Sequence, residues 1–285
     1  MKIELIPPDT LTPQLTQRLL HLKEALEEIS KNKRNQPKGH LRVSQRGSAR
    51  PQYYQYTRPD DLTGKYIRKK NISFAKTLAQ KDYDEYIIPL IKNEIAALQN
   101  YLNRTDNGHA ITDFYENLCP ARRELITPLT LTNEQYAARW MEVSWTGRPF
   151  LPDAPLLFTV HGERVRSKSE VIIADTLFRH KIPYRYEFPL TLRRLDIDKN
   201  SEAYGSPVTL HPDFLCLNTR TRQEIFWEHF GRMDDPDYSK NVAGKLRLYT
   251  ENGLLPGRHL IITIETQTEP PSTHALEKLI AEYLK

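Results

Sequence analysis

Cysteine is almost missing from this chain: Cys119 and Cys216 are the two among 285 residues. Neither has a second cysteine at metal-ligand spacing, which argues against a disulfide framework and a zinc knuckle, and both read as reduced core or near-core thiols. No run approaches the ~18 consecutive apolar residues of a membrane span. The opening Met-Lys-Ile-Glu-Leu-Ile-Pro-Pro has no basic-then-apolar signal pattern. A soluble cytoplasmic protein without a membrane partner is the expectation. A Gly-rich lysine loop for nucleotide phosphates is also lacking, so any energy-dependent step needs a partner. No internal repeat or low-complexity segment occurs, and the nine histidines show no metal-like spacing apart from the His229 considered below.

Charge is present but uneven. Positions 31, 33, 34, 38, 42, 46, 50, 58, 65, 68, 69 and 70 are Lys or Arg, against only Asp60 and Asp61 in the same stretch. That window carries +10 of a net +5, so the remainder sums to −5. A solvated basic loop would look the same, yet a concentrated basic stretch in a mildly acidic remainder is the footprint of contact with a phosphate backbone.

The length suits two domains, with a boundary near Pro149: residues 1–150 mainly helical and basic, residues 151–285 α/β. Thr12-Pro13 starts a helix running to about Ile29 or Lys31, whose Leu15, Leu19, Leu22, Leu26 and Ile29 form one seam. Ile91, Ile95, Leu98 and Leu102 form a second seam on a helix from about Asp84 to Asn103, after a shorter helix from Asn71 or Ser73 to Gln80. The seams predict an antiparallel pair, and they leave a homodimer or another protein partner open. Between them, Leu41–Val43, Tyr53–Tyr56 and Lys65–Ile67 read as a small β-meander displaying Arg42, Arg46 and Arg50, with Arg68, Lys69 and Lys70 following. Arginines among tyrosines can grip phosphates and stack on bases, although Tyr53 and Tyr56 also suit ordinary strand packing. Short helices are expected near Ile111–Leu118 and Glu134–Met141, the latter behind a Thr132/Gln135 capping box.

The second half alternates. A helix from Lys168 to His180 opens at Ser167, and strands follow at Tyr184–Leu192, Val208–Leu217 and Gln223–Phe230. Then come a helix from Pro236 to Glu251, a buried strand Leu260–Ile264 and a helix from Ser272 or Thr273. Within this frame, Ser167-Lys-Ser-Glu170 opens a helix, His211-Pro-Asp213-Phe lies on one strand, and Ile225-Phe-Trp-Glu228-His-Phe-Gly lies on the next. An unpaired carboxylate in a strand as apolar as that around Glu228 is costly, so it calls for a cation or a hydrogen-bond network.

In this order the motifs resemble the PD-(D/E)XK, or restriction endonuclease-like, nuclease superfamily over roughly residues 159–285. The resemblance implies a mixed β-sheet core flanked by helices, in the succession α, β, β, β, α, β, α. It implies a magnesium- or manganese-dependent hydrolase of phosphodiesters, with DNA ahead of RNA as the nucleic-acid partner. Asp213 and Glu228 are implied as the two metal-binding acids, joined by Glu170 on the first helix and the backbone carbonyl of His229. Glu170 also fits a capping box with Ser167. The family's usual lysine position, two residues after the second acid, holds Phe230. Some members carry that group on the following helix, in a signature whose form Lys245-Leu-Arg-Leu-Tyr249 has. Lys245 is thus the leading substitute, with Lys240 next and Tyr249 orienting it, and His229 points to the opposite strand face from Glu228. Arg166 and Lys168 are expected at phosphate, and Glu163 in support behind the acids. Phe230 equally suits a catalytically silent nuclease-like module that binds nucleic acid or serves assembly.

Overall fold

The computed structural model describes residues 3–32, 36–48, 50–58, 62–266, 268–269 and 271–285. Lys33, Arg34, Pro59, Asp60 and Asp61, all counted in or around the basic stretch, lie outside these. The chain forms two compact units, one of Asp9–Phe114 and one of Met1–Pro8 with Tyr115–Lys285.

In the first unit, α1 (Thr12–Asn32) packs on α2 (Ile72–Arg104). Arg18 near the start of α1 pairs with Glu94 near the end of α2 at 2.8 Å, as an antiparallel arrangement requires. Leu19, Leu22 and Leu102 of the two seams are buried. The two helices expected around residues 72–103 are one: α2 runs through Pro89. A proline removes one backbone bond, and the surrounding turns and the packed partner carry the helix across it. The meander is β1 (His40–Ser44), β2 (Gln52–Tyr56) and β3 (Lys65–Tyr66), antiparallel throughout. Tyr53 packs with Leu41 against Ile67, Ala75 and Leu78, the ordinary role for a strand tyrosine. Gly39, at φ +90°, enters β1 where a Cβ would lie 2.2 Å from the Tyr56 carbonyl oxygen, so no other residue fits there. Gly108 brings the far end of the unit back to Asp9 and Thr12, its start.

The second unit is mixed α/β. Short helices α3 (Ala110–Glu116, spanning the division), α4 (Pro120–Arg123) and α5 (Asn133–Met141) lead in, and both hydrogen bonds of the Thr132/Gln135 capping box are made. Residues 115–150 belong here, so the division falls at residue 114 and not near Pro149. Tryptophans explain this. Trp140 is buried with Leu215 and Leu217, Trp145 Nε1 donates to the Tyr186 carbonyl at 2.8 Å, and the Arg185 guanidinium lies 3.9 Å over the Trp140 ring. The amino-terminal residues join the same unit: Leu5 and Ile6 donate to the Leu129 carbonyl at 3.0 Å, and buried Glu4 pairs with buried Arg222 at 2.9 Å. Cys216 is buried, whereas Cys119, expected near the core, is exposed.

After the ribbon β4 (Leu157–Phe158) and β5 (Arg164–Val165) comes α6 (Lys168–Arg179). The central sheet holds β6 (Tyr184–Tyr186), β9 (Phe214–Asn218), β10 (Gln223–Phe230) and β11 (Leu260–Ile264), in the order β11-β10-β9-β6. β10 is parallel to β11, and β9 is antiparallel to both its neighbours. Two expected strands each break in two. Glu187, at φ +46°, and Pro189 separate β6 from β7 (Leu190–Arg193), while Pro212 separates β8 (Pro207–Leu210) from β9. Among the described residues, β7 and β8 pair only with each other. α6 and α8 (Thr273–Tyr283) bury Ile173, Leu177, Leu276 and Ile280 against Phe214, Trp227 and Ile261 on one face. α7 (Pro236–Glu251) covers the other with Leu248 and Tyr249.

Candidate active site

The last registered pair of the central hairpin is Trp227 with Phe214. One step further, Asp213 stands beside Glu228. Two like charges directly across an antiparallel pair are unfavourable unless something compensates them. Glu228 is 2% exposed, on the strand face that α7 covers. Its Oε1 accepts a hydrogen bond from the Tyr249 hydroxyl and an ion pair from Lys245 Nζ at 2.6 Å. The face shared by Lys245 and Tyr249 on α7 does meet the sheet, and Val242 of the same stripe is buried.

Asp213 is half-buried. Oδ2 accepts from the His229 backbone N–H at 2.6 Å. Burial pushes this carboxyl well above the usual carboxylate range, the charges of Glu228 and Glu170 push it further, and the His229 N–H and Lys245 oppose the rise. Because N–H and C=O of a strand residue point to the same edge, the His229 carbonyl also faces the Asp213 side. The His229 ring lies on the opposite face, with Nδ1 3.0 Å from Thr263 Oγ1 and Nε2 3.4 Å from Glu265 Oε1. Ser169 Oγ donates to the other Glu265 oxygen at 2.6 Å, so the ring belongs to a support layer tied to the start of α6.

Glu170 reaches the acids from α6. Ser167 Oγ caps the Glu170 N–H at 3.1 Å, but the return half of the expected capping box is not made. Glu170 Oε2 instead accepts from the Arg166 N–H at 2.8 Å and the Tyr186 hydroxyl at 2.7 Å. Tyr186 and Tyr249 are pushed far up by burial and by the carboxylates they serve, which keeps both as phenol donors. The pattern repeats at all three acids. One oxygen is held by protein donors, and the other, Glu170 Oε1, Asp213 Oδ1 and Glu228 Oε2, accepts no hydrogen bond among the described residues.

An ionised Asp213 without a counter-cation is therefore a burden on the fold. An acid whose pKa rises on folding favours the folded state while protonated. That contribution is lost as pH climbs from the ordinary carboxylate range through the raised value. At neutral pH and without divalent cation, Asp213→Asn should raise Tm by roughly 2–4 °C, the effect of about 1 kcal/mol in a unit of this size. The gain should vanish toward about pH 4, where the acid is protonated folded or unfolded. Calorimetric melts of both proteins across pH check this, and a variant less stable at every pH overturns it.

Other expected residues separate from the acids. Glu163 faces Tyr184 and His161, with burial as the main cause of its upward shift, and supports neither Asp213 nor Glu228. Lys240 is exposed on α7, about one and a half turns of helix before Lys245 and on a different face from it. Arg166 is bonded to Glu187, its Nε meeting Glu187 Oε1 at 2.7 Å, and it is the less exposed of the two arginines on that carboxylate. Lys168 is exposed as the first residue of α6. In the first unit Arg42, Arg46, Arg50, Arg68, Lys69 and Lys70 are all exposed, with Arg42 5.6 Å over the Tyr56 ring.

Two features escaped sequence reading. Tyr186 ends β6 and Glu187 follows it, and the signal was there: a glutamate amid Tyr-Glu-Phe-Pro in a stretch that reads as a strand. The other is His40, Asp82 and Glu85, whose ligand atoms lie within 4.8 Å of one another. His40 is distant in sequence from the two acids, which sit one turn apart on α2 and are already partnered: Asp82 accepts from the Leu41 N–H at 2.7 Å, and Glu85 pairs with Lys81 at 3.2 Å. Among the described residues no other trio is so tight, so Glu170, Asp213 and Glu228 stand further apart than that. Comparison of the chain with protein-family models, with curated proteins and with solved structures finds no match.

Proposed function

We propose that this chain is a metal-dependent nuclease of the PD-(D/E)XK kind, acting on DNA. The observation that carries the reading is the trio of carboxylates on α6, immediately before β9 and on β10. Each is fixed through one oxygen and offers the other, with a lysine ammonium on one of them. The succession α6, β6, β9, β10, α7, β11, α8 around one sheet adds support, the β7–β8 hairpin being an insertion into it.

The donor set is all oxygen, which suits magnesium or manganese. Asp213, Glu228 and Glu170 would hold the ion, with the His229 carbonyl at the Asp213 edge. Bound there, such an ion lowers the pKa of water and neutralises charge on the phosphate. Tyr249 and Tyr186 keep Glu228 and Glu170 in one orientation each. Lys245 is 30% exposed at its side chain, enough to reach a water at the acids and to hold or pass a proton there. Phe230 is buried, so the strand position of the usual lysine serves packing.

A silent nucleic-acid-binding module is the second reading, favoured by the closed Lys245–Glu228 pair and the wide spacing of the acids. The seams of α1 and α2 pack against each other within the chain. Purified protein incubated with plasmid, linear duplex, single-stranded DNA and RNA decides the matter. Cutting that needs magnesium or manganese and stops with chelator is the expected result. Salt-sensitive binding without cutting on every substrate would leave the silent module.

A further inference from the structure

Glu187 is a buried carboxylate, 2% exposed, held at φ +46° by a glutamate where such backbone is strained. It accepts from two arginines. Arg148 gives its backbone N–H to Oε2 at 3.1 Å and its Nε and Nη2 to Oε1 at 2.9 and 2.6 Å. Arg166 gives Nε and Nη2 at 2.7 and 3.0 Å. One guanidinium is enough to neutralise one carboxylate, so the group carries a net positive charge.

The two arginines are not equivalent. Arg166 is spent inside the protein: it also donates to the Arg148 carbonyl at 2.7 Å, lies 4.4 Å over Phe150 and is 24% exposed. Arg148 is 52% exposed, and its Nη1 makes no hydrogen bond among the described residues. The chain approaches Glu187 closely just before it, since a Cβ on Gly147 would come 3.2 Å from Glu187 Oε2. This group is bolted to the acids. The Glu187 N–H donates to the Asp213 carbonyl at 3.0 Å, and the Arg166 N–H donates to Glu170. Three acids repel a nucleic-acid backbone. A fixed cation at their rim, aimed outward, is what holds one against them.

We propose that Arg148 binds a backbone phosphate of the nucleic acid beside the metal-binding acids, and that Glu187 is its positioning residue; this rests on the nuclease reading. Arg148 is preorganised for the task, with two of its donors fixed and the remaining face open to the ligand.

The test measures binding of full-length protein to a fluorescent DNA duplex across a salt series, with calcium in place of magnesium, beside melting curves. Arg148→Ala should bind several-fold more weakly, with the slope of log K against log salt shallower by about 0.9, one phosphate contact fewer. Arg148→Lys should recover the slope but only part of the affinity, because the charge returns without the fork. Glu187→Gln should weaken binding while keeping the wild-type slope. An unchanged slope in Arg148→Ala, with or without a fall in Tm, overturns the inference and makes the pair structural. If wild type cuts DNA but Arg148→Ala keeps the slope, only this inference falls. If Arg148→Ala loses the contact in a protein that never cuts, the nuclease reading falls and the phosphate contact stands.

Discussion

Glu228→Gln should fold normally and cut about a thousandfold more slowly than wild type. The amide has the shape of the acid, and its oxygen can still accept from the Tyr249 hydroxyl, so a buried strand position remains filled and bonded. What disappears is one full negative charge in a site 2% exposed. Lewis-acid stabilisation of a phosphoryl transition state is worth several kcal/mol, and losing about 4 kcal/mol corresponds to about 10³ in rate. The same substitution strands the Lys245 ammonium without its partner, which further repels a divalent cation. Single-turnover cutting and magnesium titration by calorimetry, with a melting curve as the folding control, give the comparison. A rate within tenfold of wild type would remove Glu228 from the metal set, and with it the main ground for a nuclease.

Lys245→Ala is the complementary case, with an expected fall of about 10²–10³ in cutting rate, the range for a lost proton-transfer group. Metal affinity should be kept or improved, because the ammonium 2.6 Å from Glu228 competes with a cation for the same oxygen. That split between rate and metal binding separates Lys245 from the acids, whose loss lowers both. Lys245→Arg should recover little, because a guanidinium stays protonated throughout and cannot pass a proton at neutral pH. If Lys245→Ala cuts like wild type, the ion pair serves only to neutralise Glu228, and the proton chemistry lies with solvent.

Much of this site could be read from sequence because its parts are local. Asp213 immediately precedes β9 and Glu228 lies on β10 of the same hairpin, so a fifteen-residue separation across a polar turn places them side by side. Lys245 and Tyr249 are four apart on one helix, and helical geometry alone aims both at the sheet. The meander with its arginines and the Thr132 capping box were legible for the same reason. Sequence reading failed where non-local packing decides. Trp140 and Trp145 draw residues 115–150 onto the sheet, and nothing in their neighbourhood announces it. Glu187 looked like one more residue of an alternating strand, although its positive φ ends that strand and gathers two arginines from positions 148 and 166. Residues 72–103 read as two helices because the local pattern breaks there, while the packed partner helix that carries one helix through Pro89 is not visible in that pattern.

The strap of residues 3–8 has a consequence for how the chain is made. Asp9–Phe114 is an insertion within a unit whose first piece leaves the ribosome before anything it binds. Leu129 follows more than a hundred positions later, and Arg222 more than two hundred. The helical insertion has its own close contacts and can settle early, whereas the opening segment has to wait for the rest of its unit. Closing the second unit is thereby deferred until most of the chain is synthesised, and a cut version starting at residue 9 would lack a piece of the unit that holds the acids.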